Sequence, residues 1–113
     1  MNESWEISPD RARELLAAAS PAVLIDCRTP QEHAAARISG SVLVPLAELA
    51  HRTDEILELV EGASAVIVHC HHGVRSLKAA ALLRSIGIAS AVSMHGGIDA
   101  WSRLIDPTVP RYE

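Results

Sequence analysis

Four short apolar runs, each followed by a segment of helical character, narrow the fold of this chain more than any other feature. Ala22-Val23-Leu24-Ile25-Asp26, Ser41-Val42-Leu43-Val44, Ala65-Val66-Ile67-Val68-His69 and Ala89 to Met94 are too short for helices and too continuous for half-exposed strands. Such runs are strands covered on both faces. Ser8-Pro9-Asp10 supplies a capping hydroxyl, a first-turn proline and an early acid, predicting a helix to about Ala19 that stops at Ser20-Pro21. The spacing of Leu46, Leu49, Ile56, Leu57 and Val60 predicts one helix or two short ones ending near Gly62. Ser76 to about Ser85 is built of strong helix formers closed by Gly87, and Gly96-Gly97 leads into a last helix from Ile98 to about Ile105. Strands alternating with helices predict a parallel α/β sheet with right-handed crossovers, whose ligands bind beyond the carboxyl ends of the strands. Three turns fall there: Cys27-Arg28 after Asp26, Cys70 to Arg75 after His69, and His95-Gly96-Gly97 after Met94.

At 113 residues, with no repeat or linker, residues 1–113 read as one domain. No apolar run approaches the ~20 residues of a membrane span. The start Met1-Asn2-Glu3-Ser4-Trp5-Glu6 lacks the basic and apolar parts of a signal peptide. A cytoplasmic location without membrane partners is therefore expected, with both cysteines as free thiols. A net charge of −4 argues against a nucleic-acid partner. All fourteen acids lie outside residues 62–98, a window that holds Arg75, Lys78 and Arg84. A locally positive segment on an acidic chain suits an anionic ligand or a thiolate.

That window contains His69-Cys70-His71-His72-Gly73-Val74-Arg75-Ser76. N–H groups of a tight strand-to-helix turn converge into a concave anion site backed by the positive end of the helix. Gly73 permits positive φ within such a turn, and Arg75 adds a permanent cation. A thiol so placed ionises below its ordinary value of about 8.5, and the thiolate is the reactive form. Cys70 is thus the expected nucleophile. Cysteine phosphatases space His-Cys, two residues, Gly, two residues, Arg and then Ser or Thr. Here a single residue separates Gly73 from Arg75, so the loop surrounds a smaller guest, such as one sulfur atom carried on Cys70.

Four ordered motifs make the chain resemble the rhodanese-like single-domain sulfurtransferases. Leu24-Ile25-Asp26-Cys27-Arg28-Thr29-Pro30-Gln31-Glu32-His33 is similar to the first signature of that family, and Arg37-Ile38-Ser39-Gly40-Ser41 through Pro45 to the next. Cys70-His71-His72-Gly73-Val74-Arg75 matches its six-residue active loop, and Gly96-Gly97-Ile98-Asp99-Ala100-Trp101 its C-terminal signature. The resemblance implies a central parallel five-stranded sheet flanked by helices on both faces, with the remaining strand near Trp5 to Ile7. It also implies a sulfurtransferase without metal or organic cofactor. Cys70 takes a sulfane sulfur from a small anionic donor such as thiosulfate, forming a persulfide. A thiophilic acceptor (cyanide, a thiol or a protein) then removes it. His71, His72, Gly73, Val74, Arg75 and Ser76 form the substrate- and persulfide-binding loop, with Asp26 and Arg28 as supports. The ending Ile105-Asp106-Pro107-Thr108-Val109-Pro110-Arg111-Tyr112 resembles the end of rhodanese domains fused to E1-like enzymes, pointing to a sulfur-carrier pathway partner. A non-enzymatic module of the same fold and a cysteine phosphatase are the alternatives. Retention of both Cys70 and Arg75 favours the enzyme.

Other residues have plainer readings. Glu32 pairs locally or caps its own short helix, Arg37 and His33 are peripheral, and Trp101 anchors a helix in the core. Gly96-Gly97 permit close packing under the active loop. His69, Cys70, His71 and His72 are consecutive around a turn and do not aim at one point, so no metal is expected. Cys27 either fills the strand end or lies near Cys70 and pairs with it under oxidation.

Overall fold

A computed structural model describes residues 5–18 and 22–112 of the chain. The expected helix stop at Ser20-Pro21 and the stretch before Trp5 lie outside the described residues. Five strands form the sheet: β1 (Glu6–Ile7), β2 (Val23–Asp26), β3 (Val42–Leu43), β4 (Val66–His69) and β5 (Ala91–Met94). All pairings are parallel, in the order β1-β5-β4-β2-β3. Five α-helices connect or flank them: α1 (Pro9–Leu16), α2 (Pro30–Ala35), α3 (Thr53–Val60), α4 (Val74–Ser85) and α5 (Gly97–Leu104). A 3-10 helix, Leu46–His51, precedes α3, so the segment after Pro45 is two short helices.

The central strands are apolar throughout because helices cover both faces. Alternation along each strand sends Ile25, Val66 and Val68 to one face, where they pack with Leu49, Ile56, Ala79 and Leu83 from the 3-10 helix, α3 and α4. Leu24, Ile67 and Met94 face the other way, against Ala12 of α1 and Ile98 and Trp101 of α5. Ile25 and Ile67 are fully buried, each worth ~1.5–3 kcal/mol relative to exposure. Trp101, 8% exposed, anchors α5 in the second cluster.

Local chemistry sets the helix ends. Ser8 Oγ accepts from the Arg11 N–H at 3.1 Å and opens α1, while Thr29 and Glu32 form a reciprocal capping box on α2. α1 is shorter than expected, ending at Leu16. Its last turn tightens, with the Ala18 N–H reaching Leu15 O at 3.2 Å. α4 starts two residues early because Gly73, at φ +107°, caps it. Arg75 and Ser76 therefore lie in the first helical turn, where N–H groups have no intrahelical acceptor. No helix among the described residues is long and apolar enough to cross a membrane.

Candidate active site

Three strand-to-helix turns meet at the carboxyl edge of the sheet. Cys70 directly follows β4, and the chain then turns sharply at Gly73 into α4. That turn aims two backbone donors at the sulfur: Gly73 N–H at 3.1 Å and Ser76 N–H at 3.3 Å from Cys70 Sγ. Ser76 Oγ lies 3.4 Å from the sulfur and shares a 2.7 Å hydrogen bond with Ser93 Oγ on β5. Across the sheet, the Cys27 thiol at the end of β2 hydrogen-bonds the same sulfur. With Cys27 first, then Ser76 and the two N–H groups, these donors outweigh burial and bring the Cys70 thiol down to about 4. The Cys27 thiol moves the opposite way, far above the ordinary thiol range, because it keeps the shared proton and is itself buried. Cys70 is the ionised partner, since it alone collects the helix N–H groups.

The loop is held from below. Ile98 N–H donates to Cys70 O at 2.8 Å and Asp99 N–H to His71 O at 3.1 Å, so the first turn of α5 finds acceptors in the active loop. Gly97, at φ +61°, makes this approach: a Cβ there would overlap Cys70 O and stand 2.5 Å from His71 O. With its first carbonyls turned toward α5, the loop presents N–H groups to the sulfur on its other side.

A ring of charged side chains surrounds this cradle. Arg75 does not reach the sulfur; its guanidinium closes on Glu32 through bonds of 2.6 and 2.9 Å. Tyr112 Oη donates to Glu32 Oε2 and accepts from Arg28 Nη1, each at 2.8 Å. Arg75 and Tyr112 hold the Glu32 carboxyl well below the usual carboxylate range. Arg28 is fully buried and bidentate on Asp26 at 2.7 and 2.8 Å, with Ala36 O as a further acceptor at 2.6 Å. The pair crosslinks the end of β2 to the end of α2, behind the loop that carries Cys27.

Several sequence expectations change. The window around Cys70 is free of acids along the chain but not in space, because Glu32 folds onto Arg75 across 43 positions. Glu32 does cap its helix, yet the same carboxylate also joins the active loop to the C-terminal segment. His33 is not peripheral, since its Nδ1 lies 2.7 Å from Asp26 Oδ2; Arg37 is exposed. His69 points to the opposite face from Cys70, and neither ring nitrogen has a hydrogen-bond partner among the described residues. Burial pushes that imidazole down to about 4, leaving it neutral. His71 stacks on Tyr112 with ring centroids 4.0 Å apart, its ring lies tilted by 34° against that of His72 at 4.0 Å, and Val74 is 68% exposed. No group of three His, Cys, Asp or Glu side chains among the described residues could hold a metal ion. Glu32, Ser93 and Tyr112 were absent from the sequence-based site, although Glu32 and Tyr112 stand in segments that carry the family resemblance.

Two grooves flank His72. One, about 520 Å³, is mainly apolar and bordered by Trp5, Val74, Leu77, Ala81 and the cation Lys78. The other, about 430 Å³, is polar and lined by His72, Asp99, Arg111 and Tyr112.

Residues 8–104 match the family model described as Rhodanese-like domain. The chain is 35% identical over 101 residues to the thiosulfate sulfurtransferase GlpE of Ectopseudomonas mendocina, covering 89% of this chain and 87% of that protein. It is 33% identical over 106 residues to the probable adenylyltransferase/sulfurtransferase MoeZ of Mycobacterium tuberculosis, but spans only 26% of that longer relative. Among solved structures, the human single-domain sulfurtransferase TSTD1 superposes with a TM-score of 0.74 at 27% identity, covering 88% of this chain and 96% of that one. In fold, motif order and sequence, the chain belongs to the rhodanese-like family of sulfurtransferases.

Proposed function

We propose that Cys70 is a sulfur-carrying nucleophile that accepts a sulfane sulfur as a persulfide and hands it to a thiophilic acceptor. The observation that carries this reading is the sulfur's own surroundings: two backbone N–H groups, one hydroxyl and one thiol converge on a single buried atom. These donors favour the thiolate, the form that attacks sulfur. With thiosulfate, Cys70 Sγ bonds to the outer sulfur, the bond to the sulfonyl sulfur breaks, and its electron pair leaves with sulfite. The persulfide anion then lies in the loop beneath the N–H groups of the first turn of α4, which offset its charge. An attacking thiolate or cyanide takes the outer sulfur and returns Cys70 as thiolate.

Arg75 contributes less free charge to this site than its position in the motif suggests, because Glu32 neutralises it; the backbone is the main anion holder. The grooves beside His72 give an acceptor two approaches to the loop, and a protein acceptor is favoured by the exposed Val74 on the apolar one. Likeness to MoeZ, a probable adenylyltransferase/sulfurtransferase, supports a partner in sulfur transfer. Incubation with thiosulfate followed by intact mass under non-reducing conditions tests the reading. A gain of one sulfur atom, absent in Cys70→Ser, is expected. Failure of both the unmodified protein and Cys27→Ser to gain sulfur from thiosulfate or from an organic persulfide refutes it, and hydrolysis of an aryl phosphate by the unmodified protein would move the reaction to phosphoryl transfer.

A further inference from the structure

The persulfide cycle leaves Cys27 without a chemical task, although its thiol lies against the reacting sulfur. The register of β2 and β4 explains the meeting. Asp26 pairs with His69, and the Cys27 N–H donates to His69 O at 3.1 Å, so the ladder continues one step and sets Cys27 beside Cys70. Neighbouring strands run ~4.8 Å apart, inside the ~4.4–6.8 Å Cα separation that a disulfide spans. Both side chains stand on the same face, in the cluster that holds Ile25 and Val68, and each residue is only 1% exposed. Leu46 N–H fixes the Cys27 carbonyl at 3.0 Å, so the strand end is held at both of its peptide groups.

We infer that Cys27 is the resolving thiol of this site, expelling the sulfur carried on Cys70 as hydrosulfide and closing a Cys27–Cys70 disulfide. That step presupposes the Cys70 persulfide proposed above. Cys27 Sγ bonds to Cys70 Sγ as the bond from Cys70 Sγ to the outer sulfur breaks. The outer sulfur leaves with the bonding pair and takes the Cys27 proton, so one thiol and one persulfide anion become one disulfide and one HS⁻. The outer sulfur is reduced to sulfide and the two cysteines are oxidised; no outside electron donor enters until a dithiol reduces the disulfide and resets the site. The hydrogen bond that keeps Cys27 protonated supplies the proton to the leaving sulfide. Burial favours this internal partner over dissolved thiols, because reactants held side by side replace a bimolecular encounter with a unimolecular step. The chain thereby gains a second activity, release of sulfide from a sulfane sulfur when no acceptor is docked.

The test loads the protein with thiosulfate, removes donor by desalting, and follows both free sulfide and non-reducing intact mass. Wild type is expected to release one sulfide per loaded chain and to end two hydrogens lighter than the reduced protein, with peptides containing Cys27 and Cys70 crosslinked. In Cys27→Ser and Cys27→Ala the persulfide should persist ~10-fold longer or more, with no crosslink. A wild-type persulfide that outlasts desalting as long as in both variants, with no crosslinked peptide, overturns the resolving role and leaves the sulfurtransferase reading intact. Absence of added sulfur in all three proteins overturns both. Crosslink mapping needs only the wild type, so a variant that folded poorly would not blunt the test.

Discussion

Replacing Gly97 by alanine tests whether the underside of the active loop sets its chemistry. Gly97 sits at φ +61°, and an added Cβ would overlap Cys70 O and stand 2.5 and 2.6 Å from the oxygen and carbon of the His71 carbonyl. All three neighbours are backbone, so no side chain can rotate away. Ordinary contact begins near ~3.5 Å, so α5 and the loop must separate by roughly 1 Å. Left-handed backbone costs an L-residue ~1 kcal/mol, and forcing a packed contact apart costs ~1–3 kcal/mol more. Stretching the Ile98–Cys70 and Asp99–His71 hydrogen bonds belongs to that second part. For a domain of this size a loss of ~3 kcal/mol lowers Tm by roughly 10 °C. Gly40→Ala is the control: its φ is +85°, but nothing lies within 4 Å of its added Cβ, so only the backbone cost of ~1 kcal/mol applies. A 1 Å displacement of reacting groups also slows chemistry by ~10²-fold, so Gly97→Ala should take sulfur from thiosulfate slowly while Gly40→Ala loads like wild type. Thermal melts and a mass time course measure both. Equal melting temperatures for the two variants, or wild-type loading by Gly97→Ala, would refute the reasoning.

Three further outcomes follow from the charges around the site. Cys70 ionises at about 4 in the folded chain, far below the ordinary thiol range, so its thiolate adds stability that is complete above pH 9 and vanishes as pH falls through 4. The urea midpoint of wild type relative to Cys70→Ala should therefore rise between about pH 5 and about pH 8, and a flat difference contradicts an ionised sulfur. Glu32→Gln frees the Arg75 guanidinium, so thiosulfate loading should quicken and fall more steeply with added salt; an unchanged salt slope would mean Arg75 has no electrostatic influence on the sulfur. Arg28→Met leaves the fully buried Asp26 carboxylate with only His33 Nδ1 and the backbone N–H of residue 28 as partners and should cost ~3–5 kcal/mol in urea unfolding, partly recovered by adding Asp26→Asn. No recovery in the double variant would show that Arg28 acts through its packing rather than its charge.

The central sheet was legible because β2, β4 and β5 are covered on both faces and read as unbroken apolar runs. β1 is only Glu6–Ile7, too short for any pattern, and was placed by family resemblance alone. The loop around Cys70 was legible for a different reason: Gly73, Arg75 and Ser76 are close along the chain, and each has a local physical role there. Glu32 was read too narrowly because Thr29 and the helix end already account for it; nothing local announces a partner 43 residues away or Tyr112 at 80. His33 misled similarly, since its partner Asp26 lies buried under Arg28 and leaves no mark on the sequence near it. The meeting of Cys27 with Cys70 needed the register of β2 against β4, which no single strand encodes.

The tie between α5 and the carbonyls of Cys70 and His71 has a consequence for how such a domain diversifies. Apart from Ser76 and Cys27, the groups that hold the sulfur are peptide atoms, whose placement is set by glycines and by the helix underneath. The outward side chains at His71, His72 and Val74 carry little of that burden. They form an address written over a fixed reaction chamber, and exchanging them should redirect the protein to new partners while the sulfur chemistry stays as it is.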